Sequence, residues 1–101
     1  MVYLQATVTL QKGAMEKFCA TLQAIIPRIA PLGWVLVGGY TFMTGPKGSV
    51  VNLWQAPDAN AFTALPDQVA GDSALSQLFT ELNACIESEI YNLLAKAPYS
   101  P

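Results

Sequence analysis

Residues 36–56 read LVGGYTFMTGPKGSVVNLWQA. Two runs rich in β-branched and aromatic residues flank a turn that contains Gly45, Pro46 and Gly48. Glycine permits positive φ and proline fixes φ, whereas the flanking runs suit a pleated surface. The stretch therefore predicts a β-hairpin. In its second strand Val51 and Leu53 should point to one face, and the alternate residues to the other: Val50, Asn52 and Trp54.

Before the hairpin, the hydrophobic period changes from two to about 3.6 residues. Residues 2–10 alternate, with Leu4, Ala6, Val8 and Leu10 on one face, which predicts a strand. After a turn at Lys12-Gly13, residues 14–30 predict a helix that should kink or restart at Pro27. Its apolar stripe consists of Met15, Phe18, Cys19, Leu22, Ile25, Ile26 and Ile29.

After the hairpin, a short helix should begin with Asp58 as its N-cap and stop at Pro66. A second long helix should start at Asp72 or Ser73, with a stripe of the same spacing made of Leu75, Leu78, Phe79, Leu82, Cys85 and Ile86. Residues 88–95 alternate again and predict the last strand.

The resulting order is β-α-β-β-α-β, a ferredoxin-like α+β fold with a four-stranded antiparallel sheet. Right-handed crossovers place both long helices on one face of this sheet. Strand 1 and the second hairpin strand should be central. A length of 101 residues suits one domain, predicted over residues 1–101.

The composition is unusually apolar for so small a domain. Hydrophobic residues are 52% of the chain and charged residues 12%, against a usual charged share of about 25%. No run reaches the roughly 18 uninterrupted apolar residues of a membrane span. Because the strands are apolar on both faces, we expect a homodimer joined through the sheet face without helices, a dimeric α+β barrel. Residues 93–101 should reach across to the partner.

Several classes of function are excluded by residue type. The five cations are scattered and the net charge is −2, whereas nucleic-acid binding needs clustered cations. The chain has no His, which excludes a Cys–His pair and a Ser/His/Asp triad. We expect no metal and no cofactor. The first residues show no secretory leader, so a cytoplasmic protein is expected. Whether a targeting segment upstream of these residues has been removed is left open.

The two cysteines, Cys19 and Cys85, each fall on the apolar stripe of a predicted helix. Neither has the spacing of a metal or redox motif. We therefore expect two reduced thiols that are buried as small hydrophobic side chains.

Candidate pocket residues are Gln5, Tyr40, Asn52 and Trp54. Gln5 and Asn52 are polar residues in strands expected to be central, where such groups need hydrogen-bond partners. Trp54 should be largely buried, and apolar walls with a few convergent polar groups describe a small-molecule site. Two alternatives stay open, since these polar groups could instead pair with one another or with a partner chain. Glu89 is either a desolvated general base or a solvated edge-strand carboxylate.

The sequence also resembles the NIPSNAP family of small dimeric α+β barrel proteins. The resemblance lies in Leu32-Gly33, in Val37-Gly38-Gly39-Tyr40, in Gly45-Pro46 with Val50-Val51-Asn52-Leu53-Trp54, and in the ending Leu93-Leu94-Ala95-Lys96-Ala97-Pro98-Tyr99-Ser100-Pro101. With the matching element order, it covers essentially the whole chain. It implies the same fold and a homodimer, and no settled catalytic chemistry.

The chain departs from the family pattern where cationic residues would stand. Asn52 stands where family members often carry His. On the short helix, where members often carry Arg, this chain has Ala61, Phe62 and Thr63. Members also often carry Arg near residues 92–95, and this chain has none there. An anionic ligand bound through those cations would not bind here in the same way. The resemblance implies a dimer that binds a small hydrophobic molecule or acts as an interaction module. The alternative is a cofactor-independent monooxygenase or isomerase acting on a small hydrophobic or aromatic compound, by analogy of fold.

Overall fold

The computed structural model describes residues 1–101, which form four strands and three α-helices. A 3₁₀ turn at Ala30–Leu32 extends the first helix. In chain order the elements are β1 (Val2–Leu10), α1 (Met15–Ile29), β2 (Val35–Thr41), β3 (Ser49–Ala56), α2 (Ala59–Ala70), α3 (Ser73–Ala84) and β4 (Ile86–Leu94).

The strands form one antiparallel sheet in the order β2-β3-β1-β4. The ferredoxin-like arrangement and the central position of β1 and β3 are therefore confirmed. Ala6 in β1 lies opposite Asn52 of β3 on one side and Tyr91 of β4 on the other. These three residues form one row across the sheet.

One face of the sheet packs against the helices and holds the core. Alternate β1 residues are buried there: Leu4, Ala6, Val8 and Leu10. They meet Phe18, Ile25 and Ile29 of α1 together with Leu75 and Leu82 of α3. Trp54 is only 7% exposed in this layer, as its position on β3 predicted. Burial of this apolar area is the main stabilising term of the fold.

The hairpin turn has the backbone that its glycines predicted. Gly45 and Gly48 adopt φ of +97° and +77°, a region that side chains with a Cβ avoid. The pairing of β2 with β3 shifts register between Leu36 and Gly38, which is a bulge that re-aims the strand. A Cβ at Gly38 would collide with the hydroxyl of Tyr40, which lies over it.

Two prolines lie inside helices that continue past them. Pro66 was predicted to end the short helix, and that prediction is wrong, because α2 runs on to Ala70. Pro27 likewise lies within α1, which continues to Ile29. A proline removes one N–H donor from a helix. The apolar contacts of Leu65 and Val69 with the core favour continuation of α2.

Both predicted helix starts are confirmed by their caps. The carboxylates of Asp58 and Asp72 each accept a hydrogen bond of 3.1 Å, from the backbone N–H groups of Ala61 and Leu75. Such caps satisfy N–H groups that have no partner within the helix.

The prediction for the two cysteines is half wrong. Cys85 is buried, but Cys19 is exposed, and neither forms a disulfide. Cys19 lies at the margin of the α1 stripe, one residue after Phe18, and a helix turns by about 100° per residue. Thr21 is buried in its place.

No helix of the chain is long and apolar enough to cross a membrane.

Candidate functional site

The centre of the site is a small residue on the helix-facing side of the sheet. Ala6 lies between Asn52 and Tyr91 in the same row, while Leu4 and Val8 flank it along β1. Neighbouring strands lie about 4.8 Å apart, so Asn52 and Tyr91 stand about 10 Å apart across the alanine. The methyl group of Ala6 leaves space between the two larger side chains.

This space is part of a cavity of about 160 Å³ between the sheet and the helices. Hydrophobic side chains make up 15 of the 17 residues that line it. The helices contribute Phe18, Leu22, Ile25, Ile29, Phe62, Leu65, Phe79 and Leu82 to its wall. A cavity of this size is large enough for a compound with one ring, since a void of about 150 Å³ accommodates benzene.

Asn52 is a buried polar residue of the cavity lining and is 6% exposed. Its amide makes no hydrogen bond within the chain, although an amide can donate two and accept two. A buried polar group without a partner costs free energy. Asn52 is therefore the natural hydrogen-bonding partner for a molecule in the cavity. Its carboxamide oxygen lies over Gly39, where a Cβ would come within 3.0 Å.

A second polar group without a partner is the indole N–H of Trp34. Trp34 follows the 3₁₀ turn, is 2% exposed and also lines the cavity. Most buried polar groups in folded proteins have partners. Two unpaired donors around one cavity distinguish this region from the rest of the core.

The edge of the cavity on β4 carries Glu89 and Tyr91, two residues apart on the same face of the strand. Burial raises the pKa of the Tyr91 hydroxyl well above its ordinary value, and the neighbouring Glu89 carboxylate raises it further. At physiological pH the Tyr91 hydroxyl is neutral, as an ordinary tyrosine with a pKa of about 10 is. Glu89 is exposed, as the solvated-carboxylate alternative predicted.

Two aromatic pairs lie along the cavity. Trp34 and Trp54 meet edge to face with ring centroids 6.4 Å apart and an interplanar angle of 81°. Phe62 and Tyr91 meet in the same way at 5.9 Å and 67°. This geometry is favourable for aromatic rings and fixes their orientation. All four rings of these two pairs belong to residues that line the cavity.

Two of the four predicted site residues line the cavity over Ala6. Asn52 and Trp54 both line the cavity. Gln5 lies opposite Leu53 and Asn92, on the other face of the sheet, so the prediction that Gln5 shares a face with Asn52 is wrong. In an antiparallel pair an offset of one residue moves a side chain to the opposite face.

Tyr40 is also separate from the cavity. It pairs with Val51 and lies over Gly38, on the face without helices. Tyr40 borders a second groove, between α1 and β2, which Asn52 also borders. Neither Gln5 nor Tyr40 lines the cavity over Ala6.

Fifteen of the 17 lining residues were not among the predicted pocket groups, and four of these carry a polar group or belong to an aromatic pair: Trp34, Phe62, Glu89 and Tyr91. The alternation of β4 did place Glu89 and Tyr91 on one face, but it could not show that this face looks toward the helices. Trp34 lies in the connection between α1 and β2, where no period applies. Phe62 lies on the side of α2 that faces the cavity.

The remaining chemistry of the cavity is limited by its residue types. None of the five Lys and Arg residues lines it. No three His, Cys, Asp or Glu side chains cluster where they could hold a metal ion. The arrangement can enclose an apolar body, hydrogen-bond it at Asn52 and Tyr91, and place a carboxylate at its edge.

A family model and several solved structures point to the same protein family. The NIPSNAP family model matches residues 3–101. A NIPSNAP domain protein from Burkholderia xenovorans is 22% identical over 100% of this chain and 99% of that one, with a TM-score of 0.82. A NIPSNAP family protein of unknown function from Agrobacterium tumefaciens is 21% identical over 100% of this chain and 92% of that one, with a TM-score of 0.81.

An antibiotic biosynthesis monooxygenase shares the fold at lower identity. It is 15% identical over 97% of this chain and 100% of that one, with a TM-score of 0.71. Comparison with curated proteins gave no match. At these identities, the solved structures establish a shared fold and leave the chemistry of the cavity to the residues of this chain.

Proposed function

The chain belongs to the NIPSNAP family, and within this family we propose that it binds a small, mainly hydrophobic molecule in the cavity over Ala6. The observation that carries the proposal is Asn52, a residue that is only 6% exposed and whose amide makes no hydrogen bond within the chain, in a mainly apolar cavity of about 160 Å³. Apolar walls with a few oriented polar groups are typical of ligand sites. A bound molecule with a polar substituent would supply the missing hydrogen bond.

The proposal is tested by a thermal-shift panel of single-ring phenols and quinones. A ligand present at a hundredfold excess over its Kd stabilises the folded chain by about 2.7 kcal/mol. Since each kcal/mol shifts the Tm of a domain of this size by roughly 4–8 °C, such binding is easily detected. A panel without a single stabilising compound would contradict the proposal.

The position of the ligand is tested with Ala6→Val, because two added methyl groups occupy the floor of the cavity. We expect binding to be lost. Thr7→Val is the matched control, since Thr7 is the next residue of β1 and points to the opposite face. Equal loss of binding in both variants would place the ligand elsewhere.

The role of the amide is tested with Asn52→Leu, which keeps a similar shape and removes the polar group. We expect affinity to fall roughly 2- to 10-fold, because that is the net contribution of one hydrogen bond to the free energy of binding. Stability without ligand should be unchanged or higher, because the variant no longer buries an unpaired amide. Unchanged affinity would exclude Asn52 from ligand binding.

We also propose that the chain works as a homodimer joined through the sheet face without helices. Four rows of paired positions make up this face, and none contains a charged residue. Several of its apolar side chains are exposed: Val35 (53%), Tyr40 (57%), Ile90 (63%) and Leu94 (39%). A contiguous uncharged surface of this kind is typical of an interface. Gln5 and Asn92, neighbours on this face, would then find partners in the second copy.

A second candidate function is a cofactor-independent monooxygenase or isomerase acting on a small aromatic compound. It is favoured by the two aromatic pairs that border the cavity. The shared fold with a monooxygenase is an analogy only. Oxygen uptake or product formation with a compound that binds would establish turnover. Binding without either would leave a ligand-binding protein or an interaction module.

Cytoplasmic localisation stays a prediction. The two unpaired cysteines suit a reducing compartment. Fractionation of cells that express the chain would test it.

A further inference from the structure

We propose that the cavity selects ligands by charge and takes a hydrophobic amine, a single aromatic ring with a short cationic side chain. This inference rests on the proposed function, because it specifies the class of molecule that the same cavity binds. Its basis is the distribution of charge and aromatic faces around the cavity.

Glu89 is the only charged residue among the 17 that line the cavity. All five cations of the chain lie elsewhere, so no side chain of the cavity can neutralise an anion. An anionic ligand would lose its hydration and meet a carboxylate. A cation would meet an opposite charge at the exposed edge of an apolar site, where the ammonium group keeps part of its hydration while the ring enters the cavity.

The aromatic residues support the same sign of charge. Phe62 and Tyr91 form their edge-to-face pair close to Glu89, since Tyr91 is two residues further along β4. The face of an aromatic ring attracts a cation, and this attraction strengthens where water is excluded. Tyr91 is neutral at pH 7, as an ordinary tyrosine is, so it does not add a second negative charge beside Glu89.

The size of the cavity limits the rest of the molecule. A volume of about 160 Å³ holds one ring. With the ammonium group at Glu89, the ring extends over Ala6 toward Trp54 and Asn52. A substituent on the far side of the ring would reach the unpaired amide of Asn52.

The experiment compares three probes of nearly equal shape: benzylamine, benzyl alcohol and benzoate. Kd values are measured by ligand-observed NMR at pH 7 and low salt, where surface charges are least screened. We expect benzylamine to bind about tenfold more tightly than benzyl alcohol, and benzoate more weakly than both. Equal Kd values, or a preference for benzoate, would overturn the inference while the proposed function stands. Binding of none of the single-ring compounds, here or in the phenol and quinone panel, would contradict the proposed function itself.

The source of the selectivity is tested with Glu89→Gln, which should abolish the tenfold advantage of benzylamine over benzyl alcohol. Glu87→Gln is the matched control, since it removes the same charge from the same strand at an exposed residue outside the cavity lining. The advantage should survive in the control. If both variants lose it equally, the net charge of the protein causes the preference, and the inference is wrong.

Discussion

At the scale of single residues, Tyr91 gives the chain a pH dependence in the alkaline range. Its pKa is raised in the folded state by burial and by Glu89, so above the ordinary tyrosine pKa of about 10 the unfolded chain binds fewer protons than the folded one. The stabilising contribution is complete below that pH and decreases as pH rises. The free energy of unfolding should therefore fall less steeply above about pH 10 in Tyr91→Phe than in the unmodified chain. Urea unfolding at a series of pH values measures this. Tyr99→Phe, at a residue that is 91% exposed, is the control. Parallel pH profiles for the Tyr91 variant and the unmodified chain would contradict the prediction.

At the scale of elements, the helix caps and the prolines show how local rules and packing share control. The Asp72 carboxylate caps α3 with a bond of 3.1 Å to the Leu75 N–H, so Asp72→Ala should destabilise the chain by about 1 kcal/mol. The Tm should fall by roughly 4–8 °C in calorimetry. Asp67→Ala is the control, because Asp67 is an exposed acid in α2 whose carboxylate caps no helix. A loss as large for Asp67 as for Asp72 would mean that net charge, and not the cap, determines the effect.

At the scale of the whole molecule, the uncharged sheet face predicts the assembly. Sedimentation at micromolar concentration should give twice the chain mass of 10.8 kDa, with a buried interface of about 2,000 Å² or more in total. Ile90→Lys puts a charge on this face at a residue that is 63% exposed, so it should yield a folded monomer by circular dichroism and sedimentation. Gln77→Lys, on the exposed side of α3, should stay dimeric. A monomeric native chain would contradict both the dimer and the interpretation of this face.

The sequence by itself determined the element order, the strand faces and the helix starts. Alternation over residues 2–10 identified the buried side of β1, and the hairpin glycines identified the turn, because both signals depend on neighbours along the chain. The family resemblance pointed to the same fold. Asn52 and Trp54 lie on one face of β3, as its alternation predicted, and both line the cavity, whereas their part in ligand binding stays a prediction. The extent of the domain, residues 1–101, stays a prediction that a single cooperative unfolding transition would support.

Only the tertiary structure decided which faces meet. The register of β1 against β3 separates Gln5 from Asn52, and a shift of one residue would have joined them. Packing carried α2 past Pro66, since the apolar contacts of Leu65 and Val69 outweigh one lost hydrogen bond. The cavity itself arises because Ala6 stands between Asn52 and Tyr91, residues 39 positions apart in the chain. Such a row depends on contacts distant in sequence, and no local period of the chain encodes it.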